Sequence, residues 1–142
     1  LVTRNFVFDE GAHALYMHGA KKGRTFEFAV NAPRVCFGAG QPGRLLPGPR
    51  AVNLGTEYSS VVLSGRLQVV EDQAEARRAL QLLCEKYFPH LDYGEDYEPV
   101  SDEDLKGTAV LRIDIESWSG KEKMVSEDFP GAFYFKDKID QD

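Results

Sequence analysis

The chain has few of the residues that build a disulfide framework, a metal centre or a basic binding surface. Its 142 residues include two cysteines and three histidines, and 17 Lys and Arg stand against 23 Asp and Glu, a net charge of −6 at pH 7. Nucleic-acid-binding surfaces need a basic face that displaces counterions. Anionic membranes repel an acidic protein in the same way. We therefore expect neither a nucleic acid nor a membrane as partner.

Long apolar runs are missing as well. No stretch reaches the roughly 18 apolar residues of a membrane-spanning helix, and the first four residues, Leu1-Val2-Thr3-Arg4, lack the shape of a signal peptide. Cys36 lies in a strand-like context and Cys84 in a helix-like one. Two such cysteines predict buried free thiols rather than a disulfide, and hence a protein of the reducing cytoplasm.

The motifs of several enzyme classes are also absent. None of the histidines stands at ligand spacing with another histidine or with a cysteine, so we expect no metal site. Serine nucleophile elbows and P-loops do not occur. Residues 38–43 match G-x-G-x-x-G, but Pro42 and the prolines after it forbid the helix that a dinucleotide-binding turn requires. We therefore reject a dinucleotide-binding fold.

Alternating apolar patterns, present in several segments, predict a mainly β domain of the α+β type. The predicted strands are Val2–Phe8, Ala14–His18, Arg34–Phe37, Tyr58–Val70 and Thr108–Trp118. The predicted helices are a short one over Thr25–Val30 and a longer one from about Ala74 to Phe88, with Asp72 as its N-cap. The segments Gly38–Gly55 and Asp92–Asp104 are expected to be loops. Together these elements predict an antiparallel barrel with helical additions.

Residues 15–25 combine a strand, a small-residue turn that carries three cations, and the start of a short helix. Gly19 and Gly23 permit close approach of the backbone to a ligand. A turn of this kind presents backbone N–H groups and positive charge to a phosphate. For Arg24, the residue types leave two readings open: a surface cation, or a bidentate partner for phosphate.

The same stretch carries a resemblance to a known family. Its pattern Leu-Tyr-x-His-Gly-Ala-x-x-Gly-Arg, followed by Asn-x-Pro-Arg-Val-Cys-Phe, resembles the flavin-binding split-barrel proteins of the pyridoxamine 5'-phosphate oxidase type. Within these it is most similar to the nitroimidazole-resistance (Nim) branch. Further sequence segments that recur in that branch lie at residues 57–65, 69–72, 99–106 and 118–122. The resemblance therefore covers nearly the whole chain.

The resemblance implies a six-stranded antiparallel split β-barrel with one longer and one short helix. Two copies would form a homodimer with FMN at the subunit interface. We accordingly expect an FMN-binding domain over residues 1–125 and an aromatic C-terminal tail over residues 126–142 that packs on the domain or on a partner subunit. The family also has a first helix and a strand before the position of Leu1, so the N-terminal part of the barrel is expected to be missing from this numbering.

Carried over by position, the resemblance implies a set of site residues. Thr3, Arg4 and Asn5 would line the isoalloxazine; His18, Gly19, Gly23, Arg24 and Thr25 would hold the ribityl phosphate; Ser60 and Trp118 would complete the cofactor site. His18 occupies the position of a histidine thought to matter for nitro-group reduction. Two departures from the family pattern affect Thr3, where Pro is more usual, and Thr25, where Lys or Leu is common.

The function implied is that of an FMN-dependent oxidoreductase that reduces small electrophiles such as nitroimidazoles. The flavin would carry the redox chemistry, and NAD(P)H or another donor would supply the electrons. One alternative is a non-catalytic flavin- or haem-binding split-barrel dimer. Another is a family member that has lost its cofactor and serves as a dimeric structural module. From the residue types alone, a strand-end histidine such as His18 is more often structural than catalytic, and Trp118 is by default a partly buried core or interface aromatic.

Overall fold

A computed structural model describes residues 1–139 of the chain, with side chains as far as Asp137. The last three residues of the predicted tail, 140–142, lie outside the described part. The elements in chain order are β1 (Val7–Asp9), β2 (Ala14–Ala20), α1 (Arg24–Ala29), β3 (Arg34–Leu46), β4 (Gly55–Val69), α2 (Gln73–Tyr87), α3 (Asp102–Gly107), β5 (Thr108–Lys123) and α4 (Lys136–Ile139). A 3₁₀ turn over Ala51–Asn53 precedes β4.

The strands form one antiparallel sheet in the order β1-β2-β5-β4-β3. This architecture confirms the mainly β expectation. The predicted count of six strands is wrong for the described residues, because the sheet has five strands and is open, with β1 and β3 at its edges. The helices α3 and α4 are additional to the one longer and one short helix expected from the sequence.

The first predicted strand, Val2–Phe8, is shortened to β1 because side chains of α2 occupy the backbone groups of Phe6. The hydroxyl of Tyr87 accepts a hydrogen bond from Phe6 N at 3.1 Å, and it lies 3.2 Å from Phe6 O. Lys86 Nζ donates to the same carbonyl at 2.7 Å. Groups satisfied in this way are not available to a strand ladder, so regular pairing begins only at Val7.

The predicted loop Gly38–Gly55 is also corrected, because β3 continues through its first half to Leu46. The strand includes Pro42, which has no N–H to donate to a ladder. Such a residue is tolerated on an edge strand, where one side of the backbone faces no partner strand, and β3 is an edge strand. The G-x-G-x-x-G pattern thus lies inside a strand rather than at the start of a helix.

The longer helix agrees with its prediction to within one residue at each end. Asp72 is its N-cap and accepts a hydrogen bond from Glu75 N at 2.7 Å. The acidic segment 92–104, expected to be a loop throughout, instead ends in the first turn of α3. That helix begins with a reciprocal capping box between Ser101 and Asp104, in which each residue's side chain accepts from the other's backbone N–H.

The described chain divides into two compact units, one made of residues 1–35 and 64–116 and the other of residues 36–63 and 117–139. The first unit has a hydrophobic core between its strands and α2. The buried residues of that core are Val7, Ala14, Tyr16, Ala76, Ala79, Leu83, Leu105 and Val110. In the same unit β2 pairs with β5 along its full length, which places His18 opposite Val110 and Gly19 opposite Ala109.

The second unit is organised around a buried ion pair between Glu57 and Arg44. Glu57 is 1% exposed, and its carboxylate accepts from Arg44 Nη2 at 2.7 Å, Arg44 Nε at 2.9 Å and Val125 N at 3.0 Å. Arg44 also donates to the carbonyl oxygens of Ser126 and Glu127. This clamp fastens the chain after β5, and the hydrogen bond from Arg44 lowers the pKa of Glu57 to about 2.

Replacing Gly65 by alanine should destabilise the protein severely. A Cβ on Gly65 would lie 2.0 Å from the carbonyl oxygen of Asp114, so the backbones of two strands would have to separate. We expect a loss of about 3 kcal/mol or more in the free energy of unfolding, measured in urea. At Gly107 a Cβ has open space, so Gly107→Ala should stay within about 0.5 kcal/mol of wild type. Equal effects of the two changes would refute this account.

The Glu57 clamp should make stability depend on pH in acid. The pKa of Glu57 falls from 4.5 to about 2 on folding, so its contribution is fully present above pH 4.5 and is lost as the pH falls toward 2. We expect wild type to exceed Glu57→Gln in unfolding free energy at neutral pH, with the gap closing across that window. The exposed Glu122 supplies the control, since Glu122→Gln should leave the pH profile unchanged. A gap that stays constant in acid would contradict the prediction.

Candidate functional site

The segment before β1 reaches the predicted site strand through Arg4. Its Nη1 donates to the carbonyl oxygen of His18 at 2.9 Å. The contact depends on the absence of a side chain at position 19, because a Cβ on Gly19 would lie 2.7 Å from Arg4 Nη1. The structure therefore brings Arg4, His18 and Gly19 together, with the Arg4 guanidinium lying on the backbone of β2.

One donor of Arg4 is left without a partner. The Nε atom is buried and makes no hydrogen bond to any of the residues that the structure describes. A buried N–H of a charged group without an acceptor costs free energy. An anion is the ligand that best compensates such a donor, because guanidinium–anion hydrogen bonds are charge-assisted.

A basic turn follows β2 directly. Lys21 is anchored at this turn, with its backbone N–H donating to Gly107 O at 3.1 Å and its Nζ to Leu105 O at 2.5 Å. Lys22 and Arg24 are exposed. Gly23 has φ of +87°, a left-handed conformation that favours glycine. The turn thus places positive charge beside the end of β2 in a chain that is acidic as a whole.

A pocket of about 280 Å³ opens beside the same strand. It is lined on one side by Asn5, His18 and Thr108 and on the other by side chains of α2, among them Cys84 and Tyr87. We call it the α2 pocket. Two of the predicted site residues, Asn5 and His18, thus face one cavity, although they are thirteen positions apart in the chain.

A larger pocket, of about 570 Å³, lies elsewhere in the first unit and contains none of the predicted site residues. Its polar end holds a network in which Glu75 Oε1 accepts from Tyr16 OH at 2.6 Å and from Arg112 Nη1 at 2.7 Å, while Arg112 Nε donates to Asp114 at 2.6 Å. Two carboxylates therefore neutralise this arginine. The pocket lacks the free cation that a phosphate would need.

The network shifts the titration of its members in opposite directions. Burial, assisted by the hydrogen bond to Glu75, raises the pKa of Tyr16 to about 12. The hydrogen bonds from Tyr16 and Arg112 hold the pKa of Glu75 below its ordinary value. Glu75 is therefore ionised and Tyr16 protonated at neutral pH, which is the combination that the hydrogen bond requires.

The remaining predicted residues lie as follows. Thr3 is exposed in the segment before β1, and Arg24 and Thr25 open α1. Ser60 on β4 and Trp118 on β5 belong to the second unit, where the Ser60 hydroxyl donates to Lys121 O at 3.3 Å and the Trp118 side chain is 64% exposed. A Cβ on Gly120 would lie 3.7 Å from both Ser60 O and the Trp118 ring, so these two residues are neighbours within that unit.

Sequence reasoning missed the residues of α2 and of the loop after it that line the α2 pocket. Tyr87 and Cys84 lie in the predicted longer helix, to which the sequence assigned no site residue. Glu98 and Asp104 lie in the acidic segment, which predicted only a solvated loop. No local pattern distinguishes them, because the pocket arises from packing of distant segments.

Two further observations concern the described residues as a whole. No group of three or more His, Cys, Asp or Glu side chains among them is arranged to hold a metal ion. Over the same part of the chain, every helix is too short or too polar to traverse a bilayer.

Comparison with known proteins identifies a family. The family model described as pyridoxamine 5'-phosphate oxidase matches residues 1–122. No curated protein matches the chain.

Three solved structures share the fold. A proposed 5-nitroimidazole antibiotic resistance protein from Bacteroides thetaiotaomicron is 21% identical, with a TM-score of 0.65 over 84% of this chain and 66% of its own. The flavocytochrome Anf3 from Azotobacter vinelandii is 26% identical, with a TM-score of 0.67 over 87% of this chain and 57% of its own. An FAD and heme binding protein from Mycobacterium smegmatis is 19% identical, with a TM-score of 0.66 over 79% and 54%. The chain thus spans between about half and two thirds of each relative.

Removing the Tyr16 hydroxyl should weaken the first unit measurably. Tyr16 is 1% exposed and donates to the charged Glu75, so Tyr16→Phe should lower the free energy of unfolding by about 1–3 kcal/mol near neutral pH. Because the folded pKa of Tyr16 is about 12 against an ordinary 10, this advantage of wild type should shrink as the pH rises through that range. Tyr93 is exposed, and Tyr93→Phe serves as the control. A cost at Tyr16 no greater than at Tyr93 would contradict the prediction.

Proposed function

Because the matched family model covers residues 1–122, the chain belongs to the pyridoxamine 5'-phosphate oxidase family, and we propose that it is an FMN-binding flavoprotein. Its proposed reaction is the reduction of small electrophiles such as nitroimidazoles and other nitroaromatics. NAD(P)H or another small donor supplies the electrons. Both cysteines are free thiols, which supports placing this activity in the reducing cytoplasm.

One observation carries the proposal: the buried, partnerless Nε of Arg4 beside the backbone of His18 and Gly19. A cofactor phosphate is an acceptor of the charge and size that this donor needs. The exposed Lys22 and Arg24 add positive charge at the same end of β2. The donors present therefore fit a flavin mononucleotide, whose terminal group is a phosphate.

The residues proposed to hold this phosphate are those of the predicted set on β2 and the turn. His18, Gly19, Gly23, Arg24 and Thr25 form that set, and the Arg4 side chain joins it through its contact with His18. The backbone of Thr3, Arg4 and Asn5 would line the flavin ring. Ser60 and Trp118 complete the site in the proposed homodimer.

When bound, the flavin supplies the electron-transfer chemistry. The task of the chain's own residues is to bind, orient and protonate. His18 is the proposed catalytic residue, because it is among the residues that line the α2 pocket and histidine is the most frequent general acid in enzymes. Its proposed role is to deliver a proton to an oxygen of the reduced substrate.

A homodimer is proposed because the second unit exposes many large apolar side chains, which are typical of interaction surfaces. These are Val52, Leu54, Val62, Trp118, Met124, Tyr134 and Phe135, each at least half exposed. Proximity of Ser60 and Trp118 to this apolar surface in the second unit supports a cofactor held at a subunit interface.

A second candidate function is favoured by two of the structural relatives. One is named a flavocytochrome and another an FAD and heme binding protein. A non-catalytic flavin- or haem-binding dimer is therefore the alternative to an enzyme. The absorbance spectrum of the purified protein separates these cases, since flavin and haem have distinct bands. Bleaching of a flavin band by NAD(P)H, followed by recovery on addition of a nitroimidazole, establishes the reductase; a flavin that is never reduced refutes it.

Removing either arginine should weaken flavin binding. For Arg4→Ala and Arg24→Ala we expect a loss of about 1–3 kcal/mol in FMN binding free energy, since each change deletes a charge-assisted bond to phosphate. Quenching of flavin fluorescence on binding measures the affinity. Arg50 is exposed in the second unit, and Arg50→Ala should bind FMN as wild type does. An unchanged FMN affinity in the Arg4 variant would show that Arg4 does not bind the phosphate, and would contradict the main argument for the proposal.

A further inference from the structure

The α2 pocket has the size and the wall chemistry of a site for one aromatic ring. Its volume of about 280 Å³ lies just below the range of pockets that hold drug-sized ligands. Apolar side chains form most of the wall on the side of α2, including Leu80, Leu83, Tyr87 and Phe88. Such a wall favours a planar apolar group through burial and ring stacking.

The charges around the pocket select against anions. Glu98 and Asp104 are among its lining residues, and none of its lining residues in the described chain is Lys or Arg. Asp104 accepts hydrogen bonds from Ser101 N at 2.8 Å and Ser101 Oγ at 2.7 Å, which hold its pKa below the ordinary value and keep it charged. A ligand phosphate placed here would meet the like charges of two acidic residues, and the lining itself offers no Lys or Arg to compensate them.

The cation nearest in the chain to this wall is already engaged. Lys86 donates to Phe6 O at 2.7 Å, and its Nζ lies 3.6 Å from the centre of the Phe6 ring. Tyr87, which lines the pocket, holds the backbone of Phe6 through its hydroxyl. These contacts hold the backbone of Phe6, which is the chain neighbour of the pocket-lining residue Asn5.

We infer that the α2 pocket binds the reacting ring of a neutral or cationic single-ring aromatic substrate and rejects the same ring when it carries a phosphate. The inference rests on the proposed function, because Asn5 and His18 belong both to the pocket and to the proposed flavin site. It narrows the substrate class, since the two carboxylates of the pocket disfavour a phosphorylated pyridoxamine-type substrate.

The two free cysteines provide a direct test. Cys84 lines the pocket and is half-buried, whereas Cys36 is exposed and belongs to the second unit. The protein as purified is alkylated with N-ethylmaleimide, and modification of each cysteine is followed by mass spectrometry. The ligands are 2-methyl-5-nitroimidazole, pyridoxine and pyridoxine 5'-phosphate; the last two form a pair that differs in the phosphate alone.

We expect the two neutral rings to slow alkylation of Cys84 about tenfold at ten times their half-protecting concentration, as simple occupancy requires. Alkylation of Cys36 should not change. Pyridoxine 5'-phosphate at the same concentration should leave Cys84 as reactive as without ligand. Protection by the phosphate equal to that by pyridoxine overturns the inference, and so does a failure of the neutral rings to protect Cys84 selectively.

A charge reversal at the pocket should reverse the selectivity. Glu98 is exposed at the pocket lining, so Glu98→Lys should fold and should allow pyridoxine 5'-phosphate to protect Cys84. Glu95 is exposed in the same loop but does not line the pocket, and Glu95→Lys should retain the wild-type preference. The inference would be contradicted if pyridoxine 5'-phosphate protected Cys84 from alkylation in both variants, or in neither.

The outcome is separable from that of the proposed function. The flavin band of the same preparation is read independently of the alkylation rates. If the protein carries flavin but the neutral rings do not protect Cys84 from alkylation, the pocket inference is refuted and the proposed flavin binding is not affected. A protein without flavin whose Cys84 shows the expected selectivity would sustain the pocket as a ligand site and overturn the flavin proposal.

Discussion

The attachment of Phe6 to the end of α2 is the constraint on which the site in the first unit depends. Tyr87 and Lys86 take up the backbone groups of Phe6 that would otherwise extend β1. The chain before Phe6 is therefore released from the sheet edge, and Arg4 can lie across Gly19 onto the carbonyl of His18. The same attachment brings Asn5 to the α2 pocket. A helix thus supplies hydrogen bonds that a strand would otherwise have made, and the segment before β1 contacts β2 and lines the α2 pocket instead.

Two electrostatic environments follow from this arrangement within one unit. At the end of β2, the exposed Lys22 and Arg24 and the partnerless Nε of Arg4 attract an anion. In the α2 pocket, Glu98 and Asp104 repel one. His18 takes part in both, since its backbone oxygen accepts from Arg4 and the residue also lines the pocket. The proposed cofactor phosphate and the proposed substrate ring would therefore be distinguished by charge.

How far the sequence predicts this structure depends on the range of the interactions involved. The helix α2 and the strand β4 follow from periodicity and a local cap, and both were predicted within a few residues. The segment after Phe37 predicted a loop, yet β3 continues through Pro42, because the tolerance of a strand for proline depends on whether it lies at a sheet edge, which no local pattern reveals. The extent of β1 depends on Tyr87, some eighty positions away. The basic turn after β2 could be singled out from the sequence because its residues are contiguous, whereas the α2 pocket joins four separate segments and left no sequence signal.

Membership of a family fixes a scaffold more firmly than a substrate, and this chain shows the physical reason. The phosphate proposed to be held by Arg4 and the basic turn would be the cofactor's, so a basic site beside β2 says nothing about whether the substrate is phosphorylated. That question is decided by the side chains that line the adjoining cavity, where carboxylates replace the cations that a second phosphate would need. In the proposed site, the acids contributed by the loop before α3 and by α3 itself would therefore favour a neutral ring over a phosphorylated one, without any change in the strands proposed to hold the cofactor.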